Sequence, residues 1–141
     1  VFMEYWANST ATEKSFKDGW FCTGDVAVLE SGYYRIMGRS SVDIIKSGGY
    51  KLSALEIEGV LLTHEAIAEV AVLGIPDETW GESVTAFIGL KPGMTLKFDE
   101  LKSWCDGKMS SYKIPKAIKI IDALPRNAMG KVTKPALKTL L

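Results

Sequence analysis

The chain has 141 residues, 47% hydrophobic and 24% charged, with 17 basic groups set against 17 acidic ones. This is the composition of one ordinary globular unit, not of a disordered or collagen-like chain. A chain of about 150 residues buries roughly two-thirds of its unfolded surface, so it requires no metal or covalent staple. Two cysteines, Cys22 and Cys105, and the single His64 supply neither a disulfide framework nor a His/Cys metal centre. The longest apolar runs, such as Val70 to Ile75, fall far short of the roughly 20 residues of a membrane helix. Val1 to Trp6 carry an acid and aromatics and do not read as a signal or transit peptide. With no initiator methionine at position 1, we expect a piece of a longer protein.

The charge is unevenly spread. Residues 1–70 hold 6 basic and 10 acidic groups, and residues 71–141 hold 11 basic and 7 acidic ones. From Lys113 to Lys138 seven cations face only Asp122. A basic tail favours phosphate-bearing partners, although most of it can equally be the solvated face of a strand and a helix. Nucleic acid is not expected, since no basic run is interleaved with aromatics in a known module.

In chain order, residues 1–7 and roughly 11–17 read as helical turns leading to Gly19. Asp25–Glu30 and Tyr33–Gly38 read as strands joined at Ser31-Gly32. Val42–Lys46 and Tyr50–Leu52 form a second hairpin around Ser47-Gly48-Gly49. Ser53-Ala54-Leu55-Glu56 fits a capping box, with Glu56 reaching back to the Ser53 backbone. The helix it opens carries Ala54, Ile57 and Leu61 on one face and ends near His64. Glu69–Ile75 and Ser83–Leu90 are β-branched strands with a turn at Pro76-Asp77. Asp99 is expected to cap a helix bearing Leu101, Trp104 and Cys105, Ala117–Ile121 to be a strand, and Lys134–Leu141 a closing helix. This is an α+β pattern: a linking hairpin, then a small domain with a central three-stranded sheet flanked by helices. There is no G-x-x-x-x-G-K-[ST] phosphate loop, and His64 at a helix end does not fit a Ser-His-Asp triad.

Three segments carry the chemistry. Trp20-Phe21-Cys22-Thr23-Gly24-Asp25 sets an acid after a glycine at the start of a strand. Gly38-Arg39 leads through Asp43 to Ile44-Ile45-Lys46-Ser47-Gly48-Gly49-Tyr50-Lys51 and then to Leu55-Glu56-Ile57-Glu58. Pro125-Arg126-Asn127-Ala128-Met129-Gly130-Lys131-Val132 closes the chain. In this order and spacing they resemble the late motifs of the acyl-adenylate-forming enzymes, across essentially the whole chain. The wording is most similar to the malonyl-CoA synthetase branch of the acyl-CoA synthetases.

The resemblance implies a two-step reaction. A carboxylate attacks the α-phosphorus of ATP to give acyl-AMP and pyrophosphate, and the thiol of coenzyme A then displaces AMP. The first step brings two anions together, so a fixed cation must offset the repulsion. Lys131 matches the family's catalytic lysine, and a compact ammonium beside a flexible glycine suits that task. Asp25 matches the nucleotide-binding aspartate, whose ionised oxygens accept from a ribose diol, and Arg39 the arginine before the hinge. Gly48 and Gly49 fall where the family brings a hairpin against the pantetheine arm of coenzyme A, and Lys51 where a cation assists the phosphates. Two glycines in a hairpin also serve turn geometry alone. Glu56 and Glu58 read as a cap and a solvent-facing helix acid.

The hinge position, two residues after the arginine, is usually Asp or Lys in the family and is Ser41 here. The stretch to Asp43 is one residue longer than the common form, so the pivot stays open among Ser40, Ser41 and Val42. The resemblance divides the chain into the tail of a large adenylation domain (1–38), a hinge (39–42) and a mobile C-terminal domain (43–141). The family's phosphate loop, adenine contacts and acyl pocket would then precede Val1. ATP, Mg2+ and coenzyme A would serve the full-length enzyme, none bound tightly by this piece, which alone would be inactive. The partners implied are the missing N-terminal adenylation domain and a small carboxylic acid, with no metal site, nucleic acid or membrane segment. A mitochondrial location follows from the malonyl-CoA synthetase resemblance. Two other functions fit the same residues: an adenylation domain that loads a carrier protein, and a stand-alone binding module.

Overall fold

Two apolar runs between Ile67 and Leu90 build the centre of the molecule. In the computed structural model, which describes residues 2–140, they are β7 (Ile67–Asp77) and β8 (Gly81–Leu90), paired antiparallel from Ile67↔Leu90 to Asp77↔Gly81. Upstream lie α1 (Ser9–Ser15), β1 (Phe16–Lys17), β2 (Trp20–Phe21), β3 (Asp25–Glu30), β4 (Tyr33–Arg39), β5 (Ile44–Ser47), β6 (Tyr50–Ser53) and α2 (Ala54–Leu61). Downstream are α3 (Phe98–Cys105), β9 (Ala117–Ile120) and α4 (Lys134–Leu137), which runs on as a 3-10 turn over Lys138–Leu140.

The three strands expected at the centre are β7, β8 and β9, with β9 parallel to β8. The sheet is wider than three strands because the β5–β6 hairpin joins it through a single pair, Ser47↔Gly81. Residues of β8 from Val84 to Ile88 are all buried, because both faces of the sheet are covered. Val70, Val72, Val84, Ala86 and Ile88 face α2 and α3 and pack on Ile57, Leu61, Leu101 and Cys105. The alternate residues Ala71, Leu73 and Phe87 face the C-terminal segment and pack on Leu124 and Leu137. A period of two thus feeds two cores from one pair of strands. Phe87 is fully buried in the smaller core, so Phe87→Ala is expected to cost about 3–5 kcal/mol, read as a lower midpoint in denaturant.

Several local expectations are corrected. Of residues 2–17 only Ser9–Ser15 are helical, and Phe16–Lys17 instead pair with Trp20–Phe21 around Asp18-Gly19, a hairpin signal in its own right. Val1 and Leu141, included in the expected end elements, lie outside the described residues. The β7–β8 turn falls at residues 78–80, not at Pro76-Asp77. Pro76 stays in β7, and Asp77 Oδ1 accepts from the backbone N–H groups of Thr79 and Trp80, both at 2.9 Å. Asp99 lies inside α3, and the cap is Lys97, whose N–H donates to Glu100 Oε2 at 2.9 Å. Ser53 Oγ does accept from Glu56 N at 3.2 Å, but the Glu56 carboxylate turns away to Lys113 Nζ, 2.6 Å distant. A direct ion pair outcompetes a reach back to one backbone N–H.

Among the described residues before Gly38 none is buried. Phe2, Tyr5, Phe16 and Phe21 meet edge to face or tilted, while Leu29, Tyr33, Tyr34 and Ile36 stay exposed along β3 and β4.

Candidate functional site

The hairpin of β3 and β4 brings two predicted residues together. Its register places Asp25 directly opposite Arg39, with Arg39 Nε 3.8 Å from Asp25 Oδ1. Both side chains keep open faces, at 35% and 70% exposure, so either can still meet a ligand. Beyond Arg39 the chain folds back on itself. Asp43 N donates to Arg39 O at 2.8 Å, Arg39 N donates to Asp43 Oδ2 at 3.0 Å, and Ser40 N donates to Gly24 O at 2.9 Å. Ser40, Ser41 and Val42 are exposed on this turn. Gly38, at φ +123°, leaves room for the Asp43 side chain, which any Cβ there would overlap.

Lys131 ends a turn that two side chains hold from outside. Asn127 Oδ1 accepts from Met129 N and Lys131 N, each at 3.0 Å, and Gly130 takes φ +78°. Arg126 Nη1 donates to Gly130 O at 3.0 Å while its Nη2 lies 2.6 Å from Glu69 Oε2. Glu69 Oε1 also accepts from Leu124 N at 2.7 Å. That bond, more than Arg126, holds the Glu69 carboxyl below its ordinary range, with burial acting the other way. Its stabilisation is therefore present near neutral pH and lost as the pH falls through the lowered value. Glu69→Gln is expected to flatten the acid limb of the stability profile, measured by denaturant unfolding between pH 3 and 7; an unchanged limb would show the strut to be idle.

With the turn held this way the Lys131 side chain is exposed. Arg39, Asp43, Lys131 and Lys134 line one cleft of about 370 Å³. Glu58, read as solvent-facing, is instead enclosed at 13% exposure beside Lys134 Nζ, 2.8 Å away, and its carboxylate accepts from Val72 N at 2.7 Å. Burial raises its pKa, and Lys134 partly offsets the rise.

A second site forms elsewhere, around the β5–β6 hairpin. Gly48 takes φ +56° and its N–H donates to Trp80 O at 2.9 Å, and a Cβ on it would sit 3.0 Å from the Trp80 ring. Gly49, at φ +82°, faces open space. Tyr50 stacks on Tyr112 at 4.6 Å, and Lys116 Nζ lies 3.9 Å from the Trp80 ring centroid. Together with Ser47 and Ser111 these residues line a cavity of about 320 Å³. Lys46 and Lys51 are directly opposed across the hairpin, a like-charge pair that an anion would relieve. Trp80, Tyr112 and Lys116 were not among the predicted site residues. Their only local signal is an aromatic in a polar turn, and what assembles them is the Ser47↔Gly81 pairing.

Among the described residues no helix is long and apolar enough to cross a membrane, and no group of three or more His, Cys, Asp or Glu could hold a metal ion. The cleft and the glycine hairpin both sit on one small α+β unit. Residues 56–131 match the family described as AMP-binding enzyme C-terminal domain, and the chain belongs to that family.

Among curated proteins it is 52% identical over 135 residues to the mitochondrial malonate–CoA ligase ACSF3 of Bos taurus, covering 95% of this chain and 23% of the relative. The chain thus spans about a quarter of the length of the curated relatives it matches. Its structure is similar to that of ATP-bound MatB from Rhodopseudomonas palustris, with a TM-score of 0.89 and 35% identity over 99% of this chain and 28% of that one. The same protein in its apo form, at 36% identity and the same two coverages, gives a TM-score of 0.73.

Proposed function

We propose that this chain supplies the mobile C-terminal part of an ATP-dependent acyl-CoA synthetase that forms malonyl-CoA. Residues 1–38 complete the large domain, residues 39–42 are the hinge with its pivot among Ser40, Ser41 and Val42, and residues 43–141 swing. The observation that carries this reading is the cleft shared by Arg39 and Lys131, adjoining the Asp25–Arg39 pair. Asp25 accepts from the ribose diol, Arg39 steadies the nucleotide, and Lys131 bridges the acid and the α-phosphate as the mixed anhydride forms and pyrophosphate leaves.

The second cavity suits the other substrate. Gly48 and Gly49 leave a path for the pantetheine arm of coenzyme A, Tyr112 and Trp80 offer rings for its base, Lys116 lines the same cavity toward its phosphates, and Lys51, one residue past Tyr50, adds a cation on the adjoining face of the hairpin. Mg2+ would arrive with ATP and the large domain, because the described residues form no carboxylate cluster to hold it. The exposed aromatics before Gly38 would be covered by that domain. Malonate as the acid and mitochondria as the compartment follow the named relative.

The test is malonate-dependent exchange of pyrophosphate into ATP by the complete enzyme. Asp25→Ala removes a charged acceptor, a loss of about 1.5–3 kcal/mol, so the Michaelis constant for ATP is expected to rise at least about tenfold. An unchanged constant and rate would reduce Asp25 to a turn residue. The isolated 141-residue chain is expected to release no pyrophosphate from ATP with malonate, acetate or fatty acids. Steady carboxylate-dependent release by this chain alone would refute the division into two domains.

A further inference from the structure

Asp43, Glu58 and Lys134 form a buried ion triad that none of these roles uses. Lys134 Nζ lies 2.6 Å from Asp43 Oδ1 and 2.8 Å from Glu58 Oε1, and the three side chains are 12%, 13% and 12% exposed. Backbone N–H groups meet both carboxylates as well. Asp43 Oδ2 accepts from Arg39 N, and Glu58 Oε1 also accepts from Val72 N. Burying two carboxylates around one ammonium is a poor way to gain stability, since desolvation offsets most of the attraction. What the triad does gain is a link across the cleft.

Asp43 closes the turn that begins at Arg39, and Lys134 opens α4 only three residues beyond Lys131. The Lys131 turn is braced on its leading side by Arg126 and Glu69. On its trailing side the ion pair with Asp43 fastens it toward Arg39. We propose that Lys134 is a positioning residue, holding the Lys131 turn against the Arg39–Asp43 turn so that both cations face one nucleotide. The proposal rests on the adenylate-forming role given above. It makes Lys134 necessary for the first half-reaction and dispensable for the second, which uses the Gly48–Gly49 side.

The experiment is Lys134→Met in the complete enzyme, with each half-reaction followed separately. A misplacement of about 1 Å can cost about a hundredfold in rate, so malonate-dependent pyrophosphate exchange should fall by that order. The fall should appear in kcat and not in KM for ATP. Thioester formation from added malonyl-AMP and coenzyme A should stay near the unmodified rate, and Lys134→Arg should recover most of the exchange. Parallel loss of both half-reactions, or no loss of either, overturns the proposal. If Lys134→Met does not fold, Asp43→Asn carries the same test, because it removes the charge and keeps an acceptor for Arg39 N. Failure of both variants to fold would make the triad structural and end the proposal. Failure of the underlying reading is distinguishable: Lys131→Ala would then leave exchange intact, or the unmodified enzyme would show none.

Discussion

Lys131→Ala in the complete enzyme is expected to slow adenylate formation by about a hundred- to a thousandfold, the usual loss when one contact to developing charge is removed. Lys131 is exposed at the end of a turn whose backbone is held by Asn127 and Arg126, so the variant deletes an ammonium without disturbing its support. The protein should remain folded, with an unfolding midpoint close to the original. Lys131→Arg should recover little: a planar guanidinium is longer and forked, whereas the turn presents a single point charge to the cleft. Full activity in Lys131→Ala would remove the residue from the mechanism.

Gly49→Leu is expected to spare adenylation and slow thioester formation by about a hundredfold, because a blocked approach path acts on the attacking thiol alone. Among the described residues nothing beyond its chain neighbours lies within 4 Å of a Cβ built on Gly49, so the new side chain starts from open space. The backbone at φ +82° does strain any L-residue, at a cost of roughly 1–2 kcal/mol. Gly49→Ala separates the two effects, since it carries the same strain without the length to fill the path. If Ala and Leu impair the thioester step equally, strain is the cause and the path is not there. Gly48 is unsuitable for the comparison, because substitution there pushes on the Trp80 ring.

What could be read from the sequence was local. The β3–β4 hairpin, the face of α2 and the β-branched strands β7 and β8 follow from neighbours within a few residues, and the structure has them. The three motif segments could be recognised in order. That Asp25 and Arg39 face each other needed the strand register, and that Lys131 shares a cleft with Arg39 needed the fold of the last twenty residues over the sheet. Glu58 misled for the same reason. Its helical position places it beside the buried face, and whether it meets water depends on α4 arriving from the far end of the chain with Lys134. Trp80, Tyr112 and Lys116 are separate in sequence and meet only because β5 joins the sheet through Ser47 and Gly81. The Phe16–Phe21 hairpin, by contrast, carried a readable Asp-Gly signal that the helical reading of residues 11–17 overrode.

In the proposed enzyme one small domain serves two half-reactions with two different sets of residues. The most direct measurement follows pyrophosphate exchange and thioester formation from added malonyl-AMP, side by side, in Lys131→Ala and Gly49→Leu of the complete enzyme. The expected result is a crossover: Lys131→Ala loses the first and keeps the second, and Gly49→Leu does the reverse. Parallel loss of both half-reactions in both folded variants would contradict it.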